Sequence, residues 1–183
     1  MDTKKFMAWF ISIIMALSIM GFLGGSFFAT QKDETAKQYH DVTFYQRGNQ
    51  WLLQSSDQWY SFSHFPQELE NISMPLYLEG WLQSDKIYLG YLPNDTLIVE
   101  SQLNLLGAVL LHHKVTPQKA CVVEQGCPDI PIINCDKRSI ILRSGNATSA
   151  SLDNNCVVMT SDTGEGLQKI TERLIYKFLG VMP

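Results

Sequence analysis

Residues 42–64 read VTFYQRGNQWLLQSSDQWYSFSH, and they decide the fold class. Val42–Tyr45 makes a short run, and Arg47-Gly48-Asn49 is a turn. Trp51 and Leu53 then share one side of 50–55, Ser56-Asp57 turns again, and Tyr60 and Phe62 share one side of 58–64. Successive side chains of a strand point to opposite faces, so a period of two broken by turn residues predicts an antiparallel meander. Phe44, Trp51, Tyr60 and Phe62 are spaced to pair across its strands.

The period changes downstream. Pro66 followed by Gln-Glu-Leu-Glu predicts a turn or two of helix, while 75–83 has no single pattern. Ile87, Leu89 and Tyr91 alternate as a strand. Asn94 or Asp95 can cap a helix over 94–114, because short polar side chains accept from free N–H groups at a helix start. Val99, Leu103, Leu106 and Leu110 form its stripe, and His112, His113 and Lys114 end it, where positive charge suits the helix dipole. Thr116-Pro117 predicts a second short helix reaching about Val123. Strands are expected at 131–135, 140–143 and 155–160. Asp162 and Glu165 have the spacing of a capping box before a helix over 164–179, with Leu167, Ile170, Leu174, Ile175 and Phe178 on one stripe and Gly180 as its stop. The expected architecture is α+β: an aromatic antiparallel meander, then a small disulfide-bearing sheet packed by amphipathic helices.

Ahead of this lies FMAWFISIIMALSIMGFLGGSFF, from Phe6 to Phe28, with no charged residue. As a helix it would be about 34 Å long, enough to cross a hydrocarbon layer of about 30 Å. Lys4 and Lys5 precede it without a comparable basic cluster after it, which predicts a cytoplasmic N-terminus and the remainder outside. A cleaved secretory signal is the competing reading, with Gly24-Gly25-Ser26 near a cleavage site, and it sends the chain across the membrane too. The expected organisation is a signal-anchor over 1–29, a polar tether over 30–40 and an extracytoplasmic domain over 41–183.

Composition agrees with that compartment. The chain has 183 residues and a net charge of −4, which excludes the basic surface a nucleic-acid partner requires. Cys121, Cys127, Cys135 and Cys156 have neither the paired spacing nor the histidines of a zinc site, and read as two disulfides. The expected pairing is Cys121–Cys127 and Cys135–Cys156. Two strand ends can approach within bridging distance, and Gly126 lets the chain fold back on Cys121. Asn71, Asn94 and Asn146 head three sequons at expected turns or helix boundaries and are the expected glycosylation sites.

The second half carries a longer pattern: a Cys after Thr116-Pro117, an acidic loop to Cys127-Pro-Asp, then Pro-Ile-Ile-Asn-Cys, Asn-Cys-Val-Val, and a last helix ending Arg173-Leu-Ile-Tyr-Lys-Phe-Leu-Gly-Val-Met. Over residues 116–183 this resembles small, single-anchor envelope proteins of reduced-genome archaea. Asn155 stands where Gly is usual in that pattern, and Glu172 where Asp is usual. The resemblance implies compartment and architecture and brings no activity.

No catalytic set, cofactor or metal site is expected. Metalloprotease, nucleophile-elbow and P-loop patterns are missing from the sequence. His112 and His113 point about 100° apart on a helix and do not readily share one ion. His64 with Asp57 or Glu68 is the one acid–base arrangement worth weighing, against an ordinary surface histidine. Trp51, Trp59 and Trp81 are core residues unless one is exposed to stack on a sugar or a partner. The expected function is therefore a membrane-anchored extracytoplasmic component that binds another envelope protein or a glycan without catalysis. The alternatives are a pilin-like filament subunit and an envelope hydrolase.

Overall fold

Three hairpins build the first sheet, and each turns on a residue with positive φ: His40 (50°), Gly48 (63°) and Ser56 (54°). Glycine takes that conformation without strain, and the other two occupy two-residue turns where the chain has no alternative. The computed structural model describes residues 35–75 and 78–183. Strands β1 (Thr35–Tyr39), β2 (Val42–Arg47), β3 (Gln50–Ser55) and β4 (Gln58–Phe62) run in sequence order as one sheet. Phe44 lies opposite Leu53, Tyr60 opposite Leu53 on the other side, and Phe62 opposite Trp51. The inward-facing side chains Phe44, Leu53, Tyr60 and Phe62 are buried. The meander expected from the alternation is thus present, with one addition: β1 takes up residues 35–39 of the expected tether. The expected anchor over 6–28 lies outside the described residues. Among the described residues no helix is long and apolar enough to cross a membrane.

The second sheet holds β5 (Lys86–Tyr91), β6 (Thr116–Cys121), β7 (Ser139–Ser144), β8 (Ser149–Asp153) and β9 (Cys156–Ser161), in the order β6-β5-β7-β9-β8. Only β8 is antiparallel to its neighbour; the β5–β6, β5–β7 and β7–β9 pairs are parallel. Helix α1 (Thr96–His112) connects β5 to β6, as a parallel pair requires. Helix α2 (Gly164–Phe178) follows β9. It is capped by Thr163, whose hydroxyl accepts from the Gly166 N–H, and not by Asp162 as the spacing suggested. A Cβ at Gly166 would run into the Ser161 and Thr148 hydroxyls, so glycine suits a helix that starts this close to β9.

Two expected elements are corrected. The short helix from Thr116 is strand β6. Pro117 is tolerated there because β6 is an edge strand, where one missing N–H leaves no ladder bond unmade. The strand expected over 131–135 is reduced to a single bridge between Ile132 and Cys121: Cys121 donates to the Pro131 carbonyl and Ile133 to that of Cys121. Pro131 has no N–H to extend the ladder, and Cys135 turns away at φ 66°.

One face of the second sheet, carrying Ile87, Leu89, Ile140, Leu142, Val157 and Met159, joins the main core with both helices and the meander. The other face, carrying Ile141 and Val158, is covered by Ile133 and the loop after β6. That loop holds both bridges, Cys121–Cys127 and Cys135–Cys156, in the pairing expected from the sequence. The second spans 21 residues and ties the loop to β9. Replacing Cys135 and Cys156 together by Ala is expected to cost about 3 kcal/mol, seen as a fall of roughly 10 °C in the unfolding midpoint of the oxidised chain.

Candidate functional site

Two stripes run along α2. The stripe of Leu167, Ile170 and Leu174 is buried as the spacing predicts. Glu172 and Tyr176, one turn apart, lie on the opposite side, and they are buried too, at 1% and 0% exposure. Tyr176 packs against Phe62 at 4.3 Å and Phe44 at 5.8 Å between ring centroids, so this second stripe meets the meander.

A buried carboxylate needs hydrogen bonds to replace water. Glu172 obtains them from the chain that leaves β4. One oxygen accepts from the Ser63 N–H at 2.9 Å and from the Gln168 amide at 3.1 Å. The other accepts from the His64 N–H at 3.0 Å and from the His64 ring Nδ1 at 2.8 Å. An ionised carboxylate only accepts, so with Glu172 in that form the Nδ1 nitrogen is the donor of this contact. Tyr176 adds a bond from its hydroxyl to the His64 carbonyl at 2.8 Å. The acid–base pairing weighed for His64 with Asp57 or Glu68 is not formed. Glu68 instead accepts from the Phe65 N–H at 3.0 Å, closing the first turn of a short helix that begins at Pro66.

A carboxylate–imidazole pair is the material of general acid–base catalysis. Here both carboxylate oxygens are spent on holding residues 63–64 to α2. The Ser63 hydroxyl is likewise engaged, accepting from Gln168 at 2.6 Å. Next to Glu172 the buried Arg173 guanidinium donates to the Pro183 main-chain oxygen at 2.8 Å, while its Nε and Nη1 have no hydrogen-bond partner among the described residues.

The remaining sequence candidates are scattered. His112 ends α1 and His113 caps it, with rings 5.5 Å apart and nearly perpendicular. Burial, and then the neighbouring His112, hold the His113 imidazole below the usual range. Among the described residues no three His, Cys, Asp or Glu side chains converge as a metal set. Asn71, Asn94 and Asn146 are all exposed, the first two in or beside short helical turns and the third between β7 and β8. A cleft of about 530 Å³ is lined by His40 and Asp41 of the β1–β2 turn, by Lys177 and by Leu78, Leu82 and Met182.

Of the tryptophans, Trp81 is core at 6% exposure, and Trp51 is half-buried against Phe65 with the Lys37 ammonium 5.8 Å from its ring. Trp59 differs. It stands on the outward face of the meander at 52% exposure, with the Tyr45 ring edge-on at 5.8 Å. No protein-family model, curated protein or solved structure matches the chain.

Glu172→Ala leaves two backbone N–H groups and an imidazole without an acceptor, and is expected to lower stability by about 3 kcal/mol in denaturant unfolding. Tyr176 gives a separate alkaline signature. Burial, and then the nearby Glu172 and Glu68, push its phenol far above the ordinary range. The folded state therefore keeps a proton that the unfolded chain releases near about pH 10. The stability this supplies is complete below that pH and declines above it. Tyr176→Phe is expected to flatten the alkaline fall in unfolding free energy between about pH 9 and 11.

Proposed function

We propose that the protein is a single-pass component of the cell envelope that acts by contact and not by catalysis. Residues 6–28 span the membrane, the N-terminus is cytoplasmic, and residues 41–183 stand outside. The observation that carries this is that all four cysteines are joined in two disulfides, with none free. Such bridges persist in oxidising compartments and are rare where thioredoxin and glutathione operate. The uncharged stretch, the two lysines before it and the likeness of 116–183 to single-anchor archaeal envelope proteins point the same way. N-glycans on Asn71, Asn94 and Asn146 would stand clear of the packed core, since all three side chains are exposed.

Two features favour contact over chemistry. No hydroxyl, thiol or second carboxyl among the described residues hydrogen-bonds the His64 Nε2, so the His64–Glu172 pair has no nucleophile beside it to activate. The outward face of the meander carries a half-exposed tryptophan and no buried residue among Thr43, Tyr45, Leu52, Gln54 and Ser61. That open face is the contact surface.

Ser61 lies on it and is exposed. With the native cysteines bridged, Ser61→Cys introduces one free thiol. It is expected to react with a membrane-impermeant maleimide in intact cells. Labelling only after lysis would overturn the extracytoplasmic placement.

A further inference from the structure

We infer that the outward face of the meander is a binding subsite for a neutral polysaccharide chain, centred on Trp59 and Gln54. The inference deepens the contact-surface reading above and rests on it for the choice of face. Its geometry comes from strand register. Gln54 lies directly opposite Trp59, and Leu52 lies opposite both Tyr45 and Ser61. Residues paired in this way have Cβ atoms about 5 Å apart, so an indole and a primary amide stand side by side on one pleated surface. Tyr45 meets the indole edge-on, at 63° between ring planes, and restricts how it can turn.

A pyranose presents two surfaces, an apolar one of C–H groups and a rim of hydroxyls. The first needs a flat aromatic ring held open to water, and Trp59 is 52% exposed. The second needs groups that both donate and accept. The Gln54 amide supplies two donors and an acceptor, and the Ser61 and Thr43 hydroxyls do both. None of these three side chains hydrogen-bonds to another described residue. Among the described residues, strand alternation puts one charged strand side chain on this face, Arg47 at the far end of β2, and leaves the centre around Gln54 and Trp59 without charge, which suits a neutral sugar.

The make-up of the face argues against a protein in this place. A stable protein contact needs about 800 Å² per partner around an apolar centre. Here three apolar side chains, Tyr45, Leu52 and Trp59, are interleaved with amide and hydroxyl groups. That pattern fits one or two sugar rings.

The test uses the full-length chain in a detergent without a sugar headgroup, titrated with soluble neutral hexasaccharides of glucose, mannose and N-acetylglucosamine. Heat of binding and tryptophan fluorescence are the readouts. At least one oligosaccharide is expected to bind. Trp59→Ala should weaken binding at least about tenfold and Gln54→Leu severalfold, while Trp59→Phe, which keeps a ring, should stay within about threefold. Unfolding midpoints should not change, because both side chains are exposed. Binding undiminished in Trp59→Ala, or no binding across the panel, overturns the assignment. Photocross-linking through a benzophenone maleimide attached at Gln50→Cys, exposed at the rim of the same face, in intact cells separates the two readings. Capture of envelope material with a silent panel rejects the sugar and leaves the contact surface. Sugar binding without capture supports the subsite and rejects the contact surface in the cell.

Discussion

Helix α2 is enclosed on both sides, by β9 and α1 against one stripe and by the meander against the other, and the rest of the architecture depends on that enclosure. Over 170–176 the helix has no free face, so its polar side chains there cannot stay in water. Thr171 therefore turns its hydroxyl back onto the Leu167 carbonyl, Arg173 reaches the Pro183 oxygen, and Tyr176 donates to His64. Glu172 has the largest task, because an ionised group in a dry interior must be fully hydrogen-bonded to be tolerated. Its four donors all come from α2 itself or from the chain just beyond β4. The solution to one residue's burial is thus also what fixes the first sheet to the helix layer.

The two sheets solve the problem of their outer faces differently. The parallel sheet would expose Ile141 and Val158, and a long loop covers them, held down by Cys135–Cys156 and folded back at its start by Cys121–Cys127. Gly90 lies directly beneath that loop: a Cβ there would come within 2.7 Å of Ile133. Among the described residues the meander has no such cover. Its outer face keeps an aromatic pair, an aliphatic side chain and a ring of neutral polar groups in water, and the indole of Trp59 gains nothing from the fold's own core.

Much of this was legible in the residue pattern, for identifiable reasons. Alternation at 42–62 located the meander because that sheet buries one face only, so side-chain polarity tracks orientation residue by residue. The stripe from Leu167 to Phe178 located α2, and loop length with Gly126 selected the disulfide pairing. The parallel sheet was harder. Its strands are covered on both faces, so Ser139–Ser144 and Cys156–Ser161 read as plain apolar runs without a period. Thr116–Cys121 reads as a helix start although it is a strand, because proline marks a helix start and an edge strand equally well.

The amino-acid sequence by itself determined the α+β class, the register-bearing alternation of the meander, the apolar stripe of α2 and the cysteine pairing, because each depends on neighbours close along the chain. Only the tertiary structure decided that Glu172 and Tyr176 are interior, that His64 belongs to Glu172 rather than to Asp57 or Glu68, and that Trp59 alone among the three candidate tryptophans stands open. The physical reason is common to all three. A helical period reports one buried side, and a strand period reports two sides without saying which is covered. Burial by a second layer 100 residues away leaves no mark in either.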